Sequence, residues 1–158
     1  MNNNNQVGWD VAIRLEENRV HIAEWITGLS AVVIAVASSL LLQRIGDIKN
    51  GEVQVLVFVF FLLGLLFAAV SLGLGIWYYV RYMEALYLNP CYLKREKSQG
   101  NPLKKKYKDW STEKMTEKHK SLNGFLPRLL NGQLTCFSIG ISFVFIAIGL
   151  FAFQAFCL

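Results

Sequence analysis

The chain has 158 residues, 54% of them hydrophobic and only 17% charged, with a formal net charge of +5. Its apolar residues gather in long blocks instead of recurring at the periods of half-buried strands or surface helices, which excludes an ordinary soluble domain. The polar remainder is divided among several segments, and none is long enough to build a large core of its own.

Residues 1–24 form a polar segment in which Arg14 and Arg19 face Asp10, Glu16, Glu17 and Glu24, a net charge of −2. The Asn run at its start is expected to be disordered. Asp10 is read as the cap of a helix starting near Val11. Val11, Leu15, Ile22 and Ile26 fall on one face of that helix, with Trp9, Ile13 and Val20 off the stripe. Residues 10–24 are therefore read as an amphipathic helix, surface-lying or cytosolic, that feeds into a first span. The segment shows no short apolar region followed by a small-residue cleavage site, so no cleavable signal peptide is expected.

Residues 25–42 read as the first membrane span, with Trp25 at one interface and Arg44 beyond the other. Thr27, Ala31, Ala35 and Ser39 recur every fourth residue and make a stripe of small side chains. In lipid such stripes let two helix backbones approach, because packing and not water exclusion drives association. The partner is a helix of this chain or of another copy. The connection at 43–54 is short and polar, with Gly46 and the pair Asn50 and Gly51 as turn formers, so the first two spans are antiparallel neighbours.

Residues 55–80 contain no charged side chain. As a helix they would reach about 39 Å, against about 30 Å for the hydrocarbon of a bilayer. This second span carries small residues four apart, Gly64 with Ala68 and Ala69 with Gly73, and also Ser71 with Gly75. Trp77, Tyr78, Tyr79 and Tyr82 make an aromatic belt at its exit. The helix is expected to continue to about Leu88, where Asn89 and Pro90 stop it.

Residues 81–133 hold twelve Lys or Arg against five Asp or Glu, a net of +7. Lys94, Arg95, Lys97, Lys104, Lys105, Lys106 and Lys108 are concentrated there, with Tyr92, Tyr107 and Trp110 among them. They are read as the contact surface for a soluble cytosolic protein or for anionic lipids. Nucleic acid suits basic and aromatic residues too, but no recognition motif supports it. Ser111 is expected to cap a short helix that Asn123 and Gly124 break. Residues 125–130 then lie in the interface, and Asn131 and Gly132 turn the chain into a third span at 134–153. The last domain is taken as 134–158. Ser138, Gly140, Ser142, Ala147 and Gly149 are candidate packing positions in it.

The fold class expected is an all-α integral membrane protein: three transmembrane helices, an N-terminal amphipathic helix, and a basic, partly helical cytosolic loop between spans two and three. The loop between the first two spans has two basic residues against the twelve of 81–133. The positive-inside rule then puts the N-terminus and 81–133 in the cytoplasm and the C-terminus at the outer face of a plasma membrane, read as a bacterial inner membrane.

Catalysis needs a nucleophile or metal with an orienting partner. His21 shares a helical face with Glu17 and Glu24, a weakly specific cluster for metal or pH sensing, and His119 is expected to be solvated. Cys91 is a juxtamembrane thiol beside basic residues, read as an inert thiol, with S-acylation in a eukaryote as the alternative, and Cys136 and Cys157 read as packing residues. No enzymatic, cofactor or metal site is expected. The spans hold no ionisable group between their interfacial ends, which excludes proton relays and ion-coupled carriers. The reading is a small non-enzymatic membrane subunit that docks a soluble partner through its basic loop, as a homo-oligomer. The alternative is a homo-oligomeric pore or membrane-disrupting effector lined by Thr27, Ser30, Ser38 and Ser39, or by Ser138 and Ser142.

Overall fold

The computed structural model describes residues 3–44, 52–88, 107 and 110–157, with side chains over 17–42, 54–88, 107, 110–111 and 113–153. Three long helices account for nearly all of this: α1 (Asn3–Arg44), α2 (Glu52–Leu88) and α3 (Thr112–Cys157). With 42, 37 and 46 residues they reach about 63, 55 and 69 Å at 1.5 Å per residue. All three are long and apolar enough to cross a membrane.

α2 is the central element. It packs most extensively on α3 and next on α1, while α1 and α3 meet least. The inward face of α1 runs through Val20, Ala23, Ile26, Ser30, Val33 and Ala37. This differs from the stripe expected at Val11, Leu15, Ile22 and Ile26. Ile26 is buried, but Ile22 is exposed, and Val20 packs into the core instead. The reason is tertiary: α1 presents to α2 the side with Ala23, Ser30 and Ala37, where short side chains admit a neighbour. Helix α1 also begins at Asn3, within the Asn run expected to be disordered, and continues unbroken into the apolar segment.

Helix α3 departs further from expectation. Asn123, Gly124, Pro127, Asn131 and Gly132 all lie inside one continuous helix, with no break and no turn into a separate span. Each carries a local penalty; Pro127 cannot donate to the carbonyl of Asn123. The offset is burial. Leu122, Leu126, Leu129 and Leu130 are all buried in the same cluster as Ala23 and Ile26 of α1 and Tyr78, Ala85 and Leu88 of α2. Their three-and-four spacing continues through Gln133, Gly140, Val144 and Ala147, so one helix face serves the whole length. Helix α2 ends at Leu88, as its following Asn-Pro pair predicts.

Ser111 is the N-cap of α3. Its Oγ accepts from the Lys114 amide at 3.3 Å, and its carbonyl accepts from the Met115 amide at 3.0 Å. Because packing holds α3 along its length, Ser111→Ala is expected to fray the first turn without unfolding the helix. Amide exchange at Lys114 and Met115 should quicken about five-fold, the equivalent of about 1 kcal/mol for a lost cap. Unchanged exchange there would show that the cap contributes nothing.

Among the described residues two clusters fill the interior. One, at the end with the chain junction of α2 and α3, holds Ala23, Ile26, Tyr78, Leu88, Tyr107 and Leu122. The other holds Ala37, Phe61, Val144 and Ala147. Near the second, α2 and α3 touch backbone to backbone. A Cβ on Gly64 would stand 2.7 Å from Val144 Cγ2 and 3.1 Å from the Gly140 carbonyl oxygen. A Cβ on Gly140 would meet the Gly64 carbonyl oxygen and the Ala68 nitrogen, both at 3.1 Å. Phe60 and Phe67 flank this crossing: Phe60 stacks on Phe143 with centroids 5.7 Å apart, and Phe67 meets the same ring at a tilt, 5.8 Å away.

Candidate functional site

A polar layer separates the two clusters, and all three helices contribute to it. Gln133 of α3 is fully buried, as are Ser30 of α1 and Ser71 of α2. The Gln133 amide nitrogen donates to the Thr27 hydroxyl at 2.9 Å and to the Ala23 carbonyl at 3.2 Å. Thr27 Oγ1 in turn donates to the Ala23 carbonyl at 2.7 Å, so its lone pairs are left to accept from Gln133. That fixes the amide's orientation, because a flipped amide would set its oxygen against the Ala23 carbonyl. Ser30 donates to the Ile26 carbonyl at 2.8 Å and lies 3.1 Å from the Ser71 hydroxyl, which donates to the Gln133 carbonyl at 3.1 Å. Gly75 makes room for this: a Cβ there would collide with both Thr27 Oγ1 and Gln133 Nε2. Gln133 Oε1 is buried with no hydrogen-bond partner.

Beyond this layer, on the side of Leu88, a carboxylate is buried. Glu84 is 4% exposed. Arg81, one turn before it on α2, donates to Glu84 Oε2 at 2.7 Å, and the Tyr107 hydroxyl donates to Glu84 Oε1. A buried charge is tolerated only when paired and hydrogen-bonded, and Glu84 has both. Tyr107 is itself 1% exposed. Its ring lies on Tyr87 with centroids 6.1 Å apart and meets Trp110 edge-on at 4.8 Å. The Trp110 amide donates to the Tyr107 carbonyl at 3.1 Å, closing a turn, and the Lys114 ammonium sits 4.6 Å over the Trp110 ring. Tyr107 thus latches the segment entering α3 onto the end of α2.

His119 belongs to the same end and is not solvated as expected. It is half-buried, with Nδ1 2.9 Å from the Ala85 carbonyl and Nε2 3.1 Å from Asn123 Nδ2. A carbonyl only accepts, so Nδ1 carries a proton. The long α3 brings His119 against α2, which a solvated loop would not do. His21 lies 3.4 Å from Glu24, and both are well exposed. Among the described residues no three His, Cys, Asp or Glu side chains converge as metal ligands.

The small residues singled out from the sequence divide between two environments. Gly64 and Ala68 are buried in the α2–α3 crossing, and Thr27 is half-buried in the polar layer. Ala31, Ala35, Ser39, Ala69 and Gly73 are exposed on the outer faces of α1 and α2. Ser30 turns inward, while Ser39, Ser138 and Ser142 are exposed, and Ser142 Oγ donates to the Ser138 carbonyl within α3. Cys136 is half-buried and free. Lys94, Arg95, Lys97, Lys104, Lys105, Lys106, Lys108 and Cys91 lie outside the described residues.

Glu84 and Gln133 have no place among the residues picked out from the sequence as sites, and Tyr107 appears there only as an aromatic among the lysines. Glu84 reads there as one charge in a basic stretch, and Gln133 as the last residue of a loop. The signal for Gln133 is its register: it falls in step with Leu122, Leu126, Leu129 and Gly140 on one helix face.

No protein-family model, no curated protein and no solved structure matches the chain.

Proposed function

We propose that this protein is a non-enzymatic integral membrane subunit that presents its basic segment to a soluble partner. On this reading α1, α2 and α3 cross the inner membrane of a bacterium. The end with Glu84 and Tyr107 lies in the cytosol, the N-terminus is on the same side and the C-terminus is at the outer face. The exposed stripe Ala31, Ala35 and Ser39 would meet a second copy, and the lysines would engage an acidic protein surface or anionic lipids.

Several features support it. Trp25, Val32, Leu66, Phe145 and Phe153 are all more than half exposed, although they lie in the three most apolar segments. Such faces suit lipid and not water. Trp25 and Trp77 are exposed at one level, since each lies two residues beyond the Thr27–Gly75 contact toward the same end. That suits an aromatic belt at an interface.

The observation that carries the docking reading is the latch. Past the aromatic level the three helices keep packing as a stalk, and Tyr107, inside the basic segment, is tied to buried Glu84 on it. A segment meant only to set topology gains nothing from such a mount. A docking segment gains pre-organisation, which lowers the entropic cost of binding.

The test is affinity purification in mild detergent of the intact chain and of a variant with Lys104, Lys105, Lys106 and Lys108 changed to Glu. A soluble protein in stoichiometric amount is expected with the former and at least about ten-fold less with the latter, as reversed rim charges repel the partner. Recovery of the chain alone, with no change on charge reversal, would overturn the docking reading.

A further inference from the structure

A small cavity opens between the three helices near the latch. It has a volume of about 40 Å³ and is lined by Arg19 of α1, Tyr78 and Tyr82 of α2, and Asn123 and Leu126 of α3. A drug-sized ligand needs a pocket of about 300 Å³ or more, so only the tip of a molecule fits here. The walls favour an anion. Among the described residues no carboxylate lines the cavity and Arg19 makes no ion pair. Two other cations of this end are engaged elsewhere: Arg81 by Glu84, and Lys114 by the Trp110 ring. Asn123 spends one amide hydrogen on His119 and keeps a second.

The position of Arg19 says what molecule the tip belongs to. Arg19 precedes Trp25 by six residues, about 9 Å along the helix. With Trp25 and Trp77 at the edge of the hydrocarbon, Arg19 stands at the outer margin of the headgroup layer, which is about 5–8 Å deep on each side, and its long side chain must reach back toward the phosphates. Arg19 also heads a stripe on α1. Ile22, Trp25, Leu29, Val32 and Val36 follow it at three-and-four spacing, and all five are exposed apolar side chains. A guanidinium beside a polar notch, with an apolar track running from it toward the membrane interior, matches a phosphate with acyl chains attached.

We propose that this notch seats the phosphate of an anionic phospholipid, with Arg19 as its charged donor and the acyl chains along Ile22, Trp25 and Leu29. The shared chemistry is a phosphate anion; the apolar track assigns it to a lipid and not to free phosphate. The site is separate from the lysines of the basic segment, and it rests on the membrane reading given above.

The test is native mass spectrometry of the detergent-purified chain offered phosphatidylglycerol and phosphatidylcholine in equal amounts. One phosphatidylglycerol per chain is expected, preferred about five-fold, the ratio that one basic group near an anionic surface supplies. Arg19→Gln should lower the preference about five-fold, down to whatever the lysines of the basic segment contribute, while Arg128→Gln, an exposed cation on α3 away from the cavity, should leave it intact. Both side chains are exposed, so neither variant should lower the melting temperature. An unchanged preference in Arg19→Gln overturns the assignment. Displacement of the lipid by excess inorganic phosphate would overturn the lipid as source and make the notch a site for free phosphate. Resistance of the chain to alkaline extraction from membranes is read in parallel. Its failure would sink the membrane reading, whereas a retained chain with no lipid preference would sink the headgroup site alone.

Discussion

Gly75→Ala is expected to lower the melting temperature in detergent by about 5–10 °C, and Gly73→Ala, two residues earlier on the same helix, to leave it unchanged or raise it slightly. The two substitutions add the same methyl group. At Gly73 nothing lies within 4 Å of the new Cβ, and the position is exposed. Replacing glycine there removes backbone freedom from the unfolded chain, worth about 0.5–1 kcal/mol. At Gly75 the new Cβ collides with Thr27 Oγ1 and Gln133 Nε2. Gln133 is fully buried and bonded to two acceptors on α1, so it has nowhere to retreat without breaking the layer. Overpacking of this kind costs about 1–3 kcal/mol, and hydrogen bonds between membrane helices add about 0.6 kcal/mol each. Thr27→Ala removes one of the two obstacles. Combined with Gly75→Ala it should destabilise by less than the sum of the single variants, the sign of direct contact. Equal melting temperatures for Gly75→Ala and Gly73→Ala would mean that the three helices do not converge on this layer.

Tyr107→Ala is expected to be the costliest change at the other end, at about 3–5 kcal/mol. It removes a buried ring packed on Tyr87 and Trp110 and withdraws a donor from the Glu84 carboxylate. Tyr107→Phe keeps the ring and isolates the hydroxyl. Its cost should be about 1.5–3 kcal/mol, the range for a hydrogen bond to a charged group. The readout is two-fold: the melting temperature, and the rate of tryptic cleavage at Lys104, Lys105, Lys106 and Lys108. If the latch holds the segment to the stalk, cleavage quickens in both variants, more in Tyr107→Ala. Cleavage at the wild-type rate in Tyr107→Ala would show that Glu84 does not restrain the segment. The docking reading predicts a matching loss of the co-purified partner in that variant.

Much of the architecture is legible in the residues themselves. A run of 26 residues without a charge at 55–80 has few outcomes other than a long apolar helix, and α2 ends at Leu88, where the Asn-Pro pair follows. Ser111 announces the start of α3 because capping is local chemistry: one hydroxyl and the amide three residues on. The course of α3 is not legible in the same way. Two Asn-Gly pairs and a proline within ten residues read as turns, since each disfavours helix on its own. What overrides them is the row of leucines meeting α1 and α2, and that contact exists only after the helices have come together.

The candidate sites follow the same division. By itself the sequence determined that the chain is helical, that three segments are apolar enough to cross a membrane, and that the lysines lie between the second and third of them. These are properties of composition and of neighbours along the chain. Only the tertiary structure decided that Ser30, Ser71 and Gln133 form one layer, 41 and 62 residues apart in sequence. It alone pairs Glu84 with Tyr107 and sets Arg19 at a notch with Tyr78 and Asn123. A buried polar group must find its partner wherever packing places one, and the partner's distance along the chain leaves no mark on either residue.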